Sequence, residues 1–221
     1  MNRRSPVAIA TIAFATVLAL GACTSTPGAS EAGPSASEAG PGASATSGCP
    51  TSQPPALAAG ATRTVTIETA KGSIDVKVSA DLSPIAAGNF VALAGCGFYD
   101  GVVFHRAAAL QDGTPFVIQG GDPTGTGGGG PGYSIQDETV TATYHRGTVA
   151  MARSSQPNSQ GSQFFIVLSD AAGPILASFN TYAIFGEVTA GMEVADAIFA
   201  AADAELPTHP IAMDHVTVST P

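Results

Sequence analysis

Few side chains in this sequence are arranged for familiar catalytic chemistry. His105, His145, His209 and His215 are scattered, and no HExxH, CxxC or zinc-type cluster of His and Cys occurs. Taken singly, each histidine reads as structural or solvated. The glycine run at 125–132 lacks the Gly-Lys-Ser/Thr ending of a phosphate loop and lies between strand-like segments. No Gly-x-Ser-x-Gly elbow follows residue 61. Two segments are more specific. One is Phe104-His105-Arg106, followed by Phe116-Val117-Ile118-Gln119-Gly120-Gly121-Asp122-Pro123. The other is Met151-Ala152-Arg153, followed by Pro157-Asn158-Ser159-Gln160-Gly161-Ser162-Gln163-Phe164-Phe165-Ile166. They combine an arginine, whose charge does not titrate away, with glutamines and phenylalanines. Such a set suits electrostatic stabilisation without a covalent step, metal or cofactor. Phe116 or Phe165 alone reads as core, and only the joint pattern with Arg106, Gln119 and Gln163 points to a site.

These residues need strands to carry them. Val65 and Ile67 alternate with polar residues, Ala70-Lys71-Gly72 interrupts, and Ile74, Val76 and Val78 alternate again. That is the pattern of a β-hairpin with one buried face. Ser83-Pro84 predicts an N-cap followed by proline at the first helical position. The helix runs to about Ala94 and is stopped by Gly95. Short strands are predicted at 102–105, 116–119, 147–152, 163–168, 183–188 and 215–219, with a second helix from 192 to about 201. Many strands with two helices predict an all-β barrel with helical caps. The folded domain is expected at 62–221, long enough for a real core.

In motif, order and spacing the two segments closely resemble the cyclophilins, the peptidyl-prolyl cis-trans isomerases. Tyr182-Ala183-Ile184-Phe185-Gly186-Glu187-Val188 resembles that family's next strand. The resemblance covers about residues 62–219. The stretch Gly121-Asp122-Pro123-Thr124-Gly125-Thr126-Gly127 is similar to extracytoplasmic actinobacterial members. The fold implied is all-β: a closed eight-stranded antiparallel barrel capped by two helices.

The activity implied is rotation about X-Pro bonds. The planar amide sets a barrier of ~18–20 kcal/mol, so the uncatalysed reaction takes tens to hundreds of seconds. In the twisted transition state the prolyl nitrogen loses conjugation and becomes a better hydrogen-bond acceptor, which a fixed cation favours over the planar form. By resemblance Arg106 is that cation. Phe116, Val117 and Phe165 match the proline-pocket positions, with Leu176 a further wall. Gln119 and Gln163 match polar positions, one supporting the arginine and one contacting substrate backbone. Arg106, Gln119, Phe116 and Phe165 are thus the expected catalytic set. The backbone at Ala152 and Arg153 matches the strand that pairs with substrate. Tyr182 stands where the best-known members have His. His105, Phe104, Phe164 and Phe185 are expected in the core. No cofactor or metal is implied. A non-catalytic module that holds proline-containing segments is the alternative.

The sequence also departs from the family pattern. Nine residues separate Arg106 from Phe116, a longer loop than the family's usual one, and the chain between Phe165 and Phe185 is long as well. Val117 stands where many members have Met. The chain has no Trp, whereas many cyclophilins carry a pocket-rim Trp that helps bind cyclosporin, so weak cyclosporin binding is expected.

The amino-terminal third has another character. Arg3 and Arg4 precede an apolar run from about residue 6 to 20, too short to span a bilayer as a helix, and it reads as the hydrophobic part of an export signal. It ends in Leu20-Gly21-Ala22-Cys23, which resembles a bacterial lipobox. That implies a signal peptide at 1–22 and lipidation of Cys23. Residues 23–61 are Ser, Ala, Gly, Pro and Thr with few large aliphatics, a composition expected to form a disordered tether. Export would favour a Cys49–Cys96 disulfide, and the alternative is a buried Cys96 with a free Cys49. Of the 221 residues only 11% are charged, and the formal charge is −9. An acidic chain of this kind does not suit nucleic acid and would be repelled by anionic lipid headgroups. Membrane attachment is therefore expected through acyl chains alone, outside the cytoplasm. The expected partners are proline-containing segments of exported proteins, met by a monomer. A solute-binding lipoprotein would need a longer, two-lobed chain.

Overall fold

The computed structural model describes residues 48–219. The expected signal peptide, Cys23 and most of the expected tether lie outside these residues.

An amino-terminal hairpin opens the sheet. β1 (Thr62–Thr69) and β2 (Gly72–Ser79) pair antiparallel, with Val65, Ile67, Ile74, Val76 and Val78 fully buried. α1 (Pro84–Gly95) follows, and then β3 (Arg106–Ala109), β4 (Pro115–Gly120), β5 (Thr148–Met151) and β6 (Phe164–Val167). α2 (Ala172–Phe179), β7 (Ile184–Ala190), α3 (Met192–Ala201) and β8 (Met213–Ser219) complete the order. The strands form one eight-stranded antiparallel sheet in the order β3-β4-β6-β5-β7-β2-β1-β8. The sheet curls until its edges meet. Val103 bridges Ala212, the Met213 N–H donates to Val102 O at 2.8 Å, and the Phe104 N–H donates to Ile211 O at 2.9 Å. The stretch expected as a strand at 102–105 is therefore the seam of the barrel, and the strand itself starts at Arg106.

The interior is apolar and centred on rings. Phe90 of α1 lies 4.7 Å from Phe185, 5.1 Å from Phe164 and 5.2 Å from Tyr99, ring centre to ring centre. Tilted and edge-on aromatic contacts of this kind are favoured by the ring quadrupole. Tyr99 is fully buried, and its hydroxyl donates to Ser162 O at 3.0 Å.

Three expectations need correction. First, α2 is a third helix where two were expected. Gly173 and Pro174 both sit in its first turn, where proline is tolerated. Asn180 ends the helix in the left-handed conformation (φ 45°). Second, Ser83 occupies the N-cap of α1 without capping it through its side chain. The carboxylate of Glu138 does so from a distant loop, accepting from Ile85 N–H and Ala86 N–H at 2.8 Å each. Third, residues 48–61 pack on the domain. Cys49 is disulfide-bonded to Cys96 at the end of α1. Gln53 accepts from the Gln136 N–H at 2.9 Å, and the Leu57 N–H donates to Pro84 O at 2.9 Å. The covalent anchor and the burial of Leu57 hold a segment whose composition alone could not. Gly88 allows the crossing, since a Cβ there would collide with the backbone of Pro55 and Leu57.

Candidate active site

The site lies on the outer face of the barrel, and strand register builds it. Arg106 on β3 is opposite Gln119 on β4, Gln119 is opposite Phe165 on β6, and Phe165 is opposite Ala150 on β5. Residues directly opposite on one face are side-chain neighbours. The two sequence segments thus become one row across four strands. The next row outward is Ala108, Val117 and Val167. The interleaved residues Ala107, Ile118, Ile166 and Val149 point inward to the main core. Arg106 stays opposite Gln119 and Ala108 opposite Val117, and the register shifts only after Ala108, where the long connection begins. The connection between β3 and β4 closes in a turn, with Leu110 N–H donating to Thr114 O at 2.8 Å and Gly113 N–H to Leu110 O at 2.9 Å.

A second apolar cluster, including Val117, Tyr144, Phe165, Leu176 and Ile184, packs under α2 on this outer face. A cavity of about 260 Å³ opens beside it. Its walls include Arg106, Phe116, Val117, Gln119, Ala152, Arg153, Phe165, Leu176 and Tyr182, all of them expected site residues. Tyr182 stands edge-on to Phe165, with ring centres 5.4 Å apart. Ile175 and Phe179 also line the cavity and were not foreseen, because their helix was not. Phe179 is 60% exposed at the rim. Gln163 lies outside this cavity and lines the adjoining groove of about 560 Å³, which shares Gln119, Ala152 and Arg153 with it.

Polar contacts tie the row to the glycine-rich loop. The Arg106 Nη1 donates to Gln119 Oε1 at 3.3 Å, and Gln119 Nε2 donates to Gln163 Oε1 at 2.9 Å. Gln163 Nε2 in turn donates to Gly129 O at 2.8 Å and Gly127 O at 3.0 Å. Gln119 therefore supports the arginine, while Gln163 is held by the loop. The loop itself wraps around Asp122, which is fully buried and accepts from the N–H groups of Thr124, Gly127 and Gly129. Burial pushes the Asp122 carboxyl up. The Gly129 N–H, the Thr124 hydroxyl and N–H, and the Gly127 N–H outweigh it and hold the pKa at about 2. Loop amides of the kind that cradle anions thus bind a carboxylate of the same chain.

Glu205, His105 and Arg153 complete the picture. Glu205, from the loop between α3 and β8, accepts from Arg106 Nε at 2.7 Å, and the same oxygen lies 2.7 Å from Nη2. Nothing in local sequence marked Glu205, which lies 99 positions from its partner. His105 is buried beside Arg106, and burial lowers its pKa, which disfavours the charged imidazolium. Arg153 pairs with Asp137 at 3.1 Å and donates to Gln156 O at 2.7 Å, which fixes the turn beside Ala152. Among the described residues no three His, Cys, Asp or Glu side chains converge as a metal site.

Comparison with known proteins agrees with this geometry. The family profile for cyclophilin-type peptidyl-prolyl cis-trans isomerases matches residues 64–218. A peptidyl-prolyl cis-trans isomerase of Arabidopsis thaliana is 44% identical over 137 residues, covering 60% of this chain and 79% of the relative. The probable peptidyl-prolyl cis-trans isomerase A of Mycobacterium leprae is 38% identical over 176 residues, covering 71% of this chain and 92% of the relative. A cyclophilin-type isomerase of Cryptosporidium parvum, solved in the presence of the dipeptide Ala-Pro, superposes with a TM-score of 0.61 at 32% identity, covering 72% of this chain and 99% of that one.

Proposed function

Because this chain belongs to the cyclophilin-type peptidyl-prolyl cis-trans isomerase family, we propose that it turns X-Pro bonds by stabilising the twisted amide with Arg106. The observation that carries this reading is the row Arg106–Gln119–Phe165 beside a cavity walled by Phe116, Val117 and Leu176. The pyrrolidine ring sits in the apolar cavity, and the guanidinium stands next to the ring nitrogen. As the amide twists, the nitrogen lone pair localises and accepts a hydrogen bond that the planar amide cannot accept as well. The interaction is stronger in the transition state than in the ground state, which is the condition for catalysis. Lowering the barrier by ~7 kcal/mol corresponds to about 10⁵-fold acceleration. Pre-organisation supplies the gain, since Gln119 and Glu205 already hold the guanidinium and no proton or electron moves.

Beyond the chemistry, we propose that the clients are exported proteins and that Cys23 carries the lipid that keeps the domain at the outer side of a membrane. The lipobox-like run and the export-signal pattern support that setting. The absence of Trp supports weak binding of cyclosporin. The isomerase reading is tested with the full chain and a peptide holding one X-Pro bond. Exchange between its cis and trans resonances should appear at sub-stoichiometric protein. Peptide binding without exchange would instead support a module that only holds proline segments.

A further inference from the structure

We propose that Glu205 is a positioning residue that orients Arg106 toward the prolyl amide, an inference that rests on the reading of Arg106 given above. Two contacts hold the guanidinium from different sides. Gln119 accepts from Nη1 at 3.3 Å, the longer and weaker of the two contacts. Glu205 accepts from Nε at 2.7 Å and stands 2.7 Å from Nη2, so it engages the side edge of the planar fork. An arginine has five N–H donors. With Nε and one Nη2 proton directed at Glu205 and one Nη1 proton at Gln119, two of the five N–H groups, one on each Nη, remain to offer a peptide.

Glu205 is itself fixed. Its carbonyl accepts from the Ala107 N–H at 2.8 Å, one residue along β3 from Arg106. Its loop is cross-tied by Asp203, whose carboxylate accepts from both the N–H and the hydroxyl of Thr208. The carboxylate is therefore delivered to the arginine by a stapled backbone. The pair is open to solvent, with Glu205 59% and Arg106 36% exposed. Exposed pairs of this kind add little to stability. The effect of Glu205 is expected on the orientation of Arg106, and so on the rate.

The test uses the full chain with Glu205→Ala and Glu205→Gln, each alone and combined with Arg106→Ala. Glu205→Ala should lower kcat by roughly 5–20-fold with KM changed less than about twofold, the signature of an interaction realised in the transition state. Glu205→Gln, which keeps an acceptor for Nε, should retain kcat within about threefold. In the Arg106→Ala background, Glu205→Ala should have no further effect, because the two act as one unit. An unchanged or raised kcat in Glu205→Ala overturns the proposal, as does an effect that persists without Arg106. If Arg106→Ala itself leaves kcat intact, the reading of Arg106 fails first, and the two failures are told apart.

Discussion

Asp122 and Arg106 show how the same forces serve different ends at the scale of one residue. Arg106 keeps donors for a ligand, whereas Asp122 has its acceptor sites filled by its own loop. The consequence for Asp122 is a pH dependence of stability. Its folded pKa of about 2 lies below the unfolded value of ~3.9. The stabilisation is therefore complete above about pH 4 and lost as pH falls through about 2, an amount on the order of 2 kcal/mol. Asp122→Asn should lower stability at neutral pH and flatten the acid limb between these values, as measured by denaturant unfolding at several pH values. An unaltered acid limb would mean that the loop does not depend on this carboxylate. At this scale the sequence was informative where chemistry repeats in a motif. Arg106, Gln119, Phe116, Phe165 and Leu176 could all be placed, whereas Glu205 could not, because only the folded loop brings it to Arg106.

Elements position these residues through register and through anchors far away in sequence. The hairpin, the inward alternation and α1 were legible, because period-two burial and a proline at the first helical position are local signals. The helix α2 was not read from Ala-Gly-Pro, although proline in the first turn and Asn180 at the end were available signals. Its loss concealed Ile175 and Phe179 at the cavity rim. Ser83 was correctly read as the N-cap position of α1, but the capping carboxylate comes from Glu138, 53 positions from Ile85, which no local signal marks. The segment before β1 depends on the bond from Cys49 to Cys96. A loop of 47 residues predicts a contribution of about 4 kcal/mol in the chain-entropy model. Cys49→Ser with Cys96→Ser should lower stability in non-reducing buffer by that order while isomerisation persists, because the row on β3, β4 and β6 does not use this anchor. Loss of activity in a still-folded variant would show that the anchor reaches the site.

For the whole molecule, one curled sheet separates two jobs. Its inner face is a ring-rich core that sets stability, and its outer face carries a largely apolar cavity with Arg106 and Arg153 in its wall. An acidic chain, formally −9, has little reason to bind phosphate backbones or anionic membranes through its surface. In the proposed setting, attachment to a membrane rests on Cys23. Labelling of the expressed protein with a fatty acid should be lost in Cys23→Ser, and persistent labelling would remove that residue from the account.

In the mechanism proposed above, Arg106 acts on the transition state more than on binding. The decisive measurement is kcat for X-Pro isomerisation by the full chain, set beside the peptide Kd, for wild type, Arg106→Ala and Arg106→Lys. Removing one pre-organised donor typically costs about 10²–10³ in kcat. Arg106→Ala should fall in that range with Kd changed by only a fewfold, and Arg106→Lys should recover only part, since a point charge cannot keep the contacts to both Gln119 and Glu205. A kcat that survives Arg106→Ala, or a loss seen wholly in Kd, would contradict the electrostatic mechanism and leave the cavity as the source of catalysis.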